Sequence, residues 1–205
     1  MSDRIRVGTA GWSYGDWKGP VYPAPRPRGF DELAYLARLV EWFGALPLAI
    51  EVRHASFAAP DAEAYLAALG AGVADIDMPA GRDNLPLRGR AIGNLGYVRL
   101  HGRNAAAWFD RKAGRDERYD WLYSPGEVDT LADAVRATAA ATGDVFVIAN
   151  NHFRGKAPAN AFMLKARLLG RPVPVPPDLL RAYPLLEPDA ADLPPPPGAQ
   201  GRLFG

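Results

Sequence analysis

Short apolar runs that end in charge or amide alternate along this chain with stretches of helical period. Strands are predicted at about 5–10, 48–52, 73–77, 97–101 and 145–149, each short, apolar and bounded by turn or polar residues, as buried parallel strands are. Between the first two, Phe30, Leu33, Leu36, Ala37, Val40 and Phe43 share one face, which predicts an amphipathic helix over 30–43. A short helix to Leu69 begins near Pro60-Asp61 and stops at Gly70 and Gly72. Ser124-Pro125-Gly126-Glu127 is a capping box with proline at the first helical position and opens a helix to about Ala141. A last helix covers about 159–169. Segments 78–94 and 102–123 show no helical period and read as loops. From Gly170 onward proline dominates, and Pro194-Pro195-Pro196-Pro197 cannot form a packed element. The pattern predicts an α/β fold, with a folded domain over 1–170 and a disordered Pro-rich tail over 171–205.

The chain has 3 histidines, and each closes a predicted strand: His54 after Leu48–Arg53, His101 after Tyr97–Leu100, His152 after Val145–Asn151. In parallel α/β sheets the carboxyl ends of the strands share the face on which ligands bind. Period-2 alternation sets Glu51 and Arg53 on the side of their strand opposite Ile50 and Val52, and it sets Arg99 and His101 together on one side of the strand at 97–101. An acid and two arginines facing one way inside a covered sheet are costly unless they are paired or line a solvated pocket. A pocket is expected because these residues cluster at strand ends. The structural alternative is a Glu51–Arg99 ion pair that fills the interior.

With 205 residues, 48% hydrophobic, the chain can bury one sizeable core. A net charge of +1 gives no global field for nucleic acid or an anionic membrane, so affinity for phosphate has to come from a local arginine cluster. The absence of cysteine removes disulfides, thiolate metal sites and cysteine nucleophiles. No stretch is long enough to span a bilayer, and the first residues lack the apolar run of a signal peptide. A soluble cytoplasmic protein is expected.

A metal site is the sharper alternative for the histidines, with Glu51, Asp75 and Asp77 as further ligands for zinc or manganese. An arginine within one or two residues of each histidine opposes a cation there and suits an oxyanion instead. No metal ligand is therefore assigned. Asn150 and Asn151 end the last strand and offer neutral donors and acceptors, or else satisfy a turn. Trp12 and Tyr14 can stack on a base or sugar, or cap the sheet. The 103–118 segment mixes Arg111, Lys112, Arg115 and Arg118 with Asp110, Asp116 and Glu117, which reads mainly as a solvated face, with a weaker case for a lid. No phosphate-binding glycine loop or nucleophile elbow is present, so nothing demands a nucleophilic hydrolase, and the cofactor is left open.

Four strings in order resemble the domain of unknown function 72, or YecE-like, family: Gly8-Thr9-Ala10-Gly11-Trp12-Ser13-Tyr14, Glu51-Val52-Arg53-His54, Tyr97-Val98-Arg99-Leu100-His101-Gly102-Arg103, and Asn150 through Ala161. The resemblance implies a TIM-barrel-like parallel β/α fold with a pocket at the strand carboxyl ends. By position that pocket would comprise Trp12, Tyr14, Arg53, His54, Arg99, Asn150 and Asn151 as ligand-binding residues, with Glu51 and His101 as acid–base candidates. Family members carry three further strand–helix units before the Glu-Val-Arg-His strand. This chain has about five core strands, where a closed barrel needs eight. Family neighbours imply the parallel order 48–52, 73–77, 96–101, 145–150, 5–10, with open edges through which a homodimer can form. The family supplies no activity. The expected function is binding or processing of a phosphate-bearing or sugar-like, nucleic-acid-related ligand. The alternative is a non-catalytic binding module or degenerate member recruited to DNA through a sliding-clamp-like tail motif.

That alternative draws on the tail. Gln200-Gly201-Arg202-Leu203-Phe204 is similar to the motif by which bacterial replication and repair proteins dock on the sliding clamp. Gln200 would make the polar contact and Leu203 and Phe204 would fill an apolar pocket, held away from the domain by the proline spacer. Expected partners are thus a small anionic ligand, a sliding clamp and a second copy of the chain, with no membrane.

Overall fold

The computed structural model describes Arg28 and residues 31–193. The expected strand 5–10, Trp12, Tyr14, the final prolines and the Gln200, Leu203 and Phe204 motif lie outside the described residues.

Helix α1, Glu32–Phe43, starts where Asp31 accepts from the amides of Leu33 and Ala34, both at 3.0 Å. It leads to strand β1, Ala49–Ile50, and helix α2, Pro60–Ala68, with its proline in the first turn. The predicted strand 73–77 is two short pieces, β2 at Gly72–Val73 and β3 at Asp75–Asp77. β2 pairs with β1, and the Ala74 amide donates to the Ile50 carbonyl. β3 pairs with β4, Gly96–Leu100, which pairs with β5, Val145–Ala149. Every one of these pairings is parallel, so the described strands run β1, β2/β3, β4, β5 across the sheet. This is the expected order for the four strands it covers. Among the described residues the strands do not close a barrel, and no helix is long and apolar enough to cross a membrane.

One face of the sheet carries Val98 and Leu100, buried with Tyr123 against helix α5, Pro125–Ala141, and helix α6, Lys156–Leu169. α5 begins at the expected capping box and buries Val128, Leu131, Ala132 and Val135. α6 begins three residues before its expected start because Pro158 falls in the first turn, where a missing N–H breaks no helical bond. It ends at Gly170, whose φ of +64° suits glycine. The other face carries Ala74 and Ile76, packed with Tyr97 and Trp108.

Two expectations need correction. Segment 102–123 is not plain loop: it holds helices α3, Ala105–Phe109, and α4, Arg115–Arg118, joined by the Asn104 side chain, which donates to the Glu117 carbonyl at 2.9 Å. Nor does a disordered tail begin at 171. Strand β6, Val173–Pro174, helix α7, Pro177–Ala182, a 3₁₀ stretch Pro184–Asp189 and strand β7, Ala190–Ala191, follow α6, and Val173, Val175 and Leu186 are buried in the main core. Pro177 and Pro184 sit in helix first turns and Pro174 in a two-residue strand, positions where a missing N–H is tolerated.

Candidate functional site

Register settles which side chains meet. Arg99 pairs across to Ile76 and Ile148, so Arg99 and His101 share the face of Ile76 and Phe146, which Asn150 continues at the end of β5. Glu51 reaches the same place from the end of β1. Its carboxylate receives Arg99 Nη1 at 2.5 Å on Oε2 and Arg53 Nε at 2.6 Å on Oε1. Arg99 Nη2 also donates to Asn150 Oδ1 at 3.3 Å, which turns the amide Nδ2 toward His101 Nδ1, again at 3.3 Å. The imidazole therefore accepts at Nδ1 and carries its proton on Nε2, which stands 3.4 Å from Glu51 Oε1, within ion-pair reach but without hydrogen-bond geometry. The result is a closed polar ring of Glu51, Arg99, Asn150 and His101, with Arg53 on its outer side.

Burial alone would raise the Glu51 carboxyl, but His101 and the guanidiniums of Arg53 and Arg99 outweigh it and hold the acid far below the usual carboxylate range. Burial lowers His101, and the two arginine charges add to that against the opposing pull of Glu51. The ring thus holds an anion and a neutral imidazole at neutral pH. His101 is 0% exposed.

Outside the ring lies a cleft of about 360 Å³ lined by Arg53, Trp108, Arg115, Arg118 and Tyr119. Trp108 and Tyr119 stand edge to face at 5.5 Å, and each lies within 6 Å of the His101 ring, so the cleft walls are the lid over the ring. His152 continues the cluster, 5.6 Å from Tyr119, with Nε2 3.2 Å from Asp116 Oδ1 and Nδ1 3.1 Å from the Asn150 carbonyl. Among the described residues the lining contains three guanidiniums and no acid.

Behind the sheet, a second polar network is structural. Asp77 accepts from Arg103 at 2.7 Å and from the Tyr123 hydroxyl at 2.6 Å, and that hydroxyl accepts from the Gly102 amide at 3.0 Å. Burial first, then the Asp77 charge, pushes the Tyr123 phenol well above its usual value. Asp75 closes the 85–92 loop by accepting from the amides of Arg88 and Gly89.

Of the residues expected in the site, Glu51, Arg53, Arg99, His101 and Asn150 are brought together. His54 and Asn151 are not. His54 caps the 3₁₀ turn Ala55–Ala58, accepting from the Ser56 amide at 3.2 Å. Asn151 is fully buried and donates to the Trp121 carbonyl at 2.9 Å beside Asn160. Trp108, Arg115, Arg118 and Tyr119 were not expected as site residues. The available signal was aromatic rings, Trp108 and Tyr119, among the arginines of the segment that follows a strand's carboxyl end.

Comparison with known proteins places this geometry in a family context. The family model described as protein of unknown function DUF72 matches residues 24–180. The chain is similar to a DUF72 family protein from Thermotoga maritima, at 30% identity and a TM-score of 0.62, over 72% of this chain and 55% of that one. It is also similar to a DUF72 family protein from Enterococcus faecalis, at 28% identity and a TM-score of 0.62, over 72% of this chain and 56% of that one. The match therefore spans a little over half the length of these relatives. Among curated proteins none matches the chain.

Proposed function

The chain belongs to the DUF72 family of proteins of unknown function, and from its own geometry we propose that the Arg53–Arg115–Arg118 cleft binds a small phosphate-bearing ligand next to a sugar or ring. The observation that supports this reading is the lining itself: three guanidiniums and two aromatic rings around one cleft at the strand carboxyl ends. Guanidinium forks suit phosphate oxygens, and aromatic faces suit a sugar or base. The volume lies at the low end of small-ligand pockets, which suits a monomeric ligand rather than a polymer.

Glu51 and His101 act here as positioning residues. A carboxylate held far below its usual range is a weak base at neutral pH, and an imidazole with no exposed surface cannot reach a ligand atom. They set the direction of Arg53 and Arg99 instead. Binding without turnover at these two groups is the reading that the geometry favours.

Calorimetric titration of the full chain with inorganic phosphate, sugar phosphates, nucleoside monophosphates and their dephosphorylated counterparts tests the reading. Saturable binding of phosphorylated members is expected, several-fold weaker in Arg53→Ala. Equal binding of phosphorylated and dephosphorylated forms would overturn it.

A further inference from the structure

The arginines of the cleft are not equivalent. Arg53 is committed to Glu51 at 2.6 Å, so its charge is already compensated. Arg115 lies 3.7 Å from Asp116 and is 79% exposed, a solvated charge at the rim. Arg99, behind the ring, is also paired with Glu51. Arg118 makes no ion pair with any described residue. Its hydrogen bond among them is Nη2 to the Asp110 carbonyl at 3.1 Å, and its Nε is buried with no acceptor. A guanidinium offers five donors, and a buried N–H with no acceptor is costly to keep.

We infer that Arg118 is the oxyanion anchor of this cleft and that the ligand is a phosphomonoester on a planar ring, of nucleoside-monophosphate size; this rests on the phosphate-binding reading above. The uncompensated charge attracts the phosphate, and the planar fork gives two parallel hydrogen bonds to it. Tyr119, the next residue, and Trp108 present the rings against which the planar part stacks. Helix α4 thus delivers charge and ring from adjacent positions, which ties recognition of both halves of the ligand to one short element. The Asn104 bridge to the Glu117 carbonyl fixes that element against α3, which carries Trp108.

The test is titration of the full-length protein with adenosine 5′-monophosphate, ribose 5-phosphate, adenosine and inorganic phosphate, in wild type, Arg118→Ala, Arg118→Lys and Arg53→Ala, with circular dichroism to confirm folding. In wild type the monophosphate binds more tightly than any of its parts. Arg118→Ala weakens the monophosphate about tenfold or more, down to the level of adenosine, while adenosine itself is unchanged. Arg118→Lys, which keeps the charge and loses the fork, falls between. If Arg118→Ala binds the monophosphate as wild type does while wild type still prefers it to adenosine, the anchor is refuted and the pocket stands. If ribose 5-phosphate binds as tightly as the monophosphate, the planar ring is refuted. If wild type does not distinguish the monophosphate from adenosine, the phosphate pocket fails and the anchor with it.

Discussion

Glu51 meets two guanidiniums and an imidazole within 3.4 Å, and its acidity and that of His101 shape how the protein responds to pH. Both groups have folded pKa values below their ordinary ones, 4.5 for the acid and 6.5 for the imidazole. The unfolded chain therefore binds protons first on acidification. The His101 contribution is complete above pH 6.5 and is lost as pH falls below it; the Glu51 contribution is complete above pH 4.5 and is lost below that. Each limb has a slope of at most about 1.4 kcal/mol per pH unit. Urea midpoints measured from pH 8 to 3 should fall in these two windows, with the lower limb reduced in Glu51→Gln and the upper one in His101→Gln. Unchanged limbs in these variants would contradict the assignment. Gly102 makes a separate prediction: its φ is +87°, and a Cβ there would meet Trp121 Cβ at 2.5 Å. Gly102→Ala should cost about 2 kcal/mol or more in urea unfolding. Alternation made the ring residues legible in the sequence, since Glu51, Arg53, Arg99, His101 and Asn150 stand at period-2 positions on strand ends. His54 and Asn151 lie beyond the last strand residues, and local partners take them away from the ring: the Ser56 amide for His54 and the Trp121 carbonyl for Asn151. Reading all strand-end polar residues as one set overlooked that.

Among the elements, α5 was fully legible, because its Ser124-to-Glu127 box satisfies the first amides locally and the Glu127 carboxylate returns to the Ser124 amide at 2.8 Å. Ser124→Ala should lower stability by about 1 kcal/mol, read as a shift in urea midpoint. Helices α3 and α4 were not legible, because five and four residues are too few to show a period and their packing comes from tertiary contacts. Segment 171–193 was hidden by its proline content. Its anchor is Leu186, 0% exposed in the core beside α6. Leu186→Ala should cost about 3 kcal/mol in urea unfolding. A cost below about 0.5 kcal/mol would mean that this segment does not pack on the domain.

At the scale of the molecule, the parallel order β1, β2/β3, β4, β5 carries the polar ring to one face, and the connection after β4 supplies most of the cleft. The strand order followed from the family resemblance, whereas the cleft depended on chain segments without a pattern of their own. Nuclear magnetic resonance of the ¹⁵N-labelled full chain titrated with adenosine 5′-monophosphate locates the ligand most directly. The Trp108 indole and the backbone amides of Arg53, Arg115, Arg118 and Tyr119 should shift together and saturate, while the Trp121 indole behind the sheet stays in place. Shifts confined to residues away from these five, or none at saturating ligand, would contradict a phosphate-binding cleft at this site.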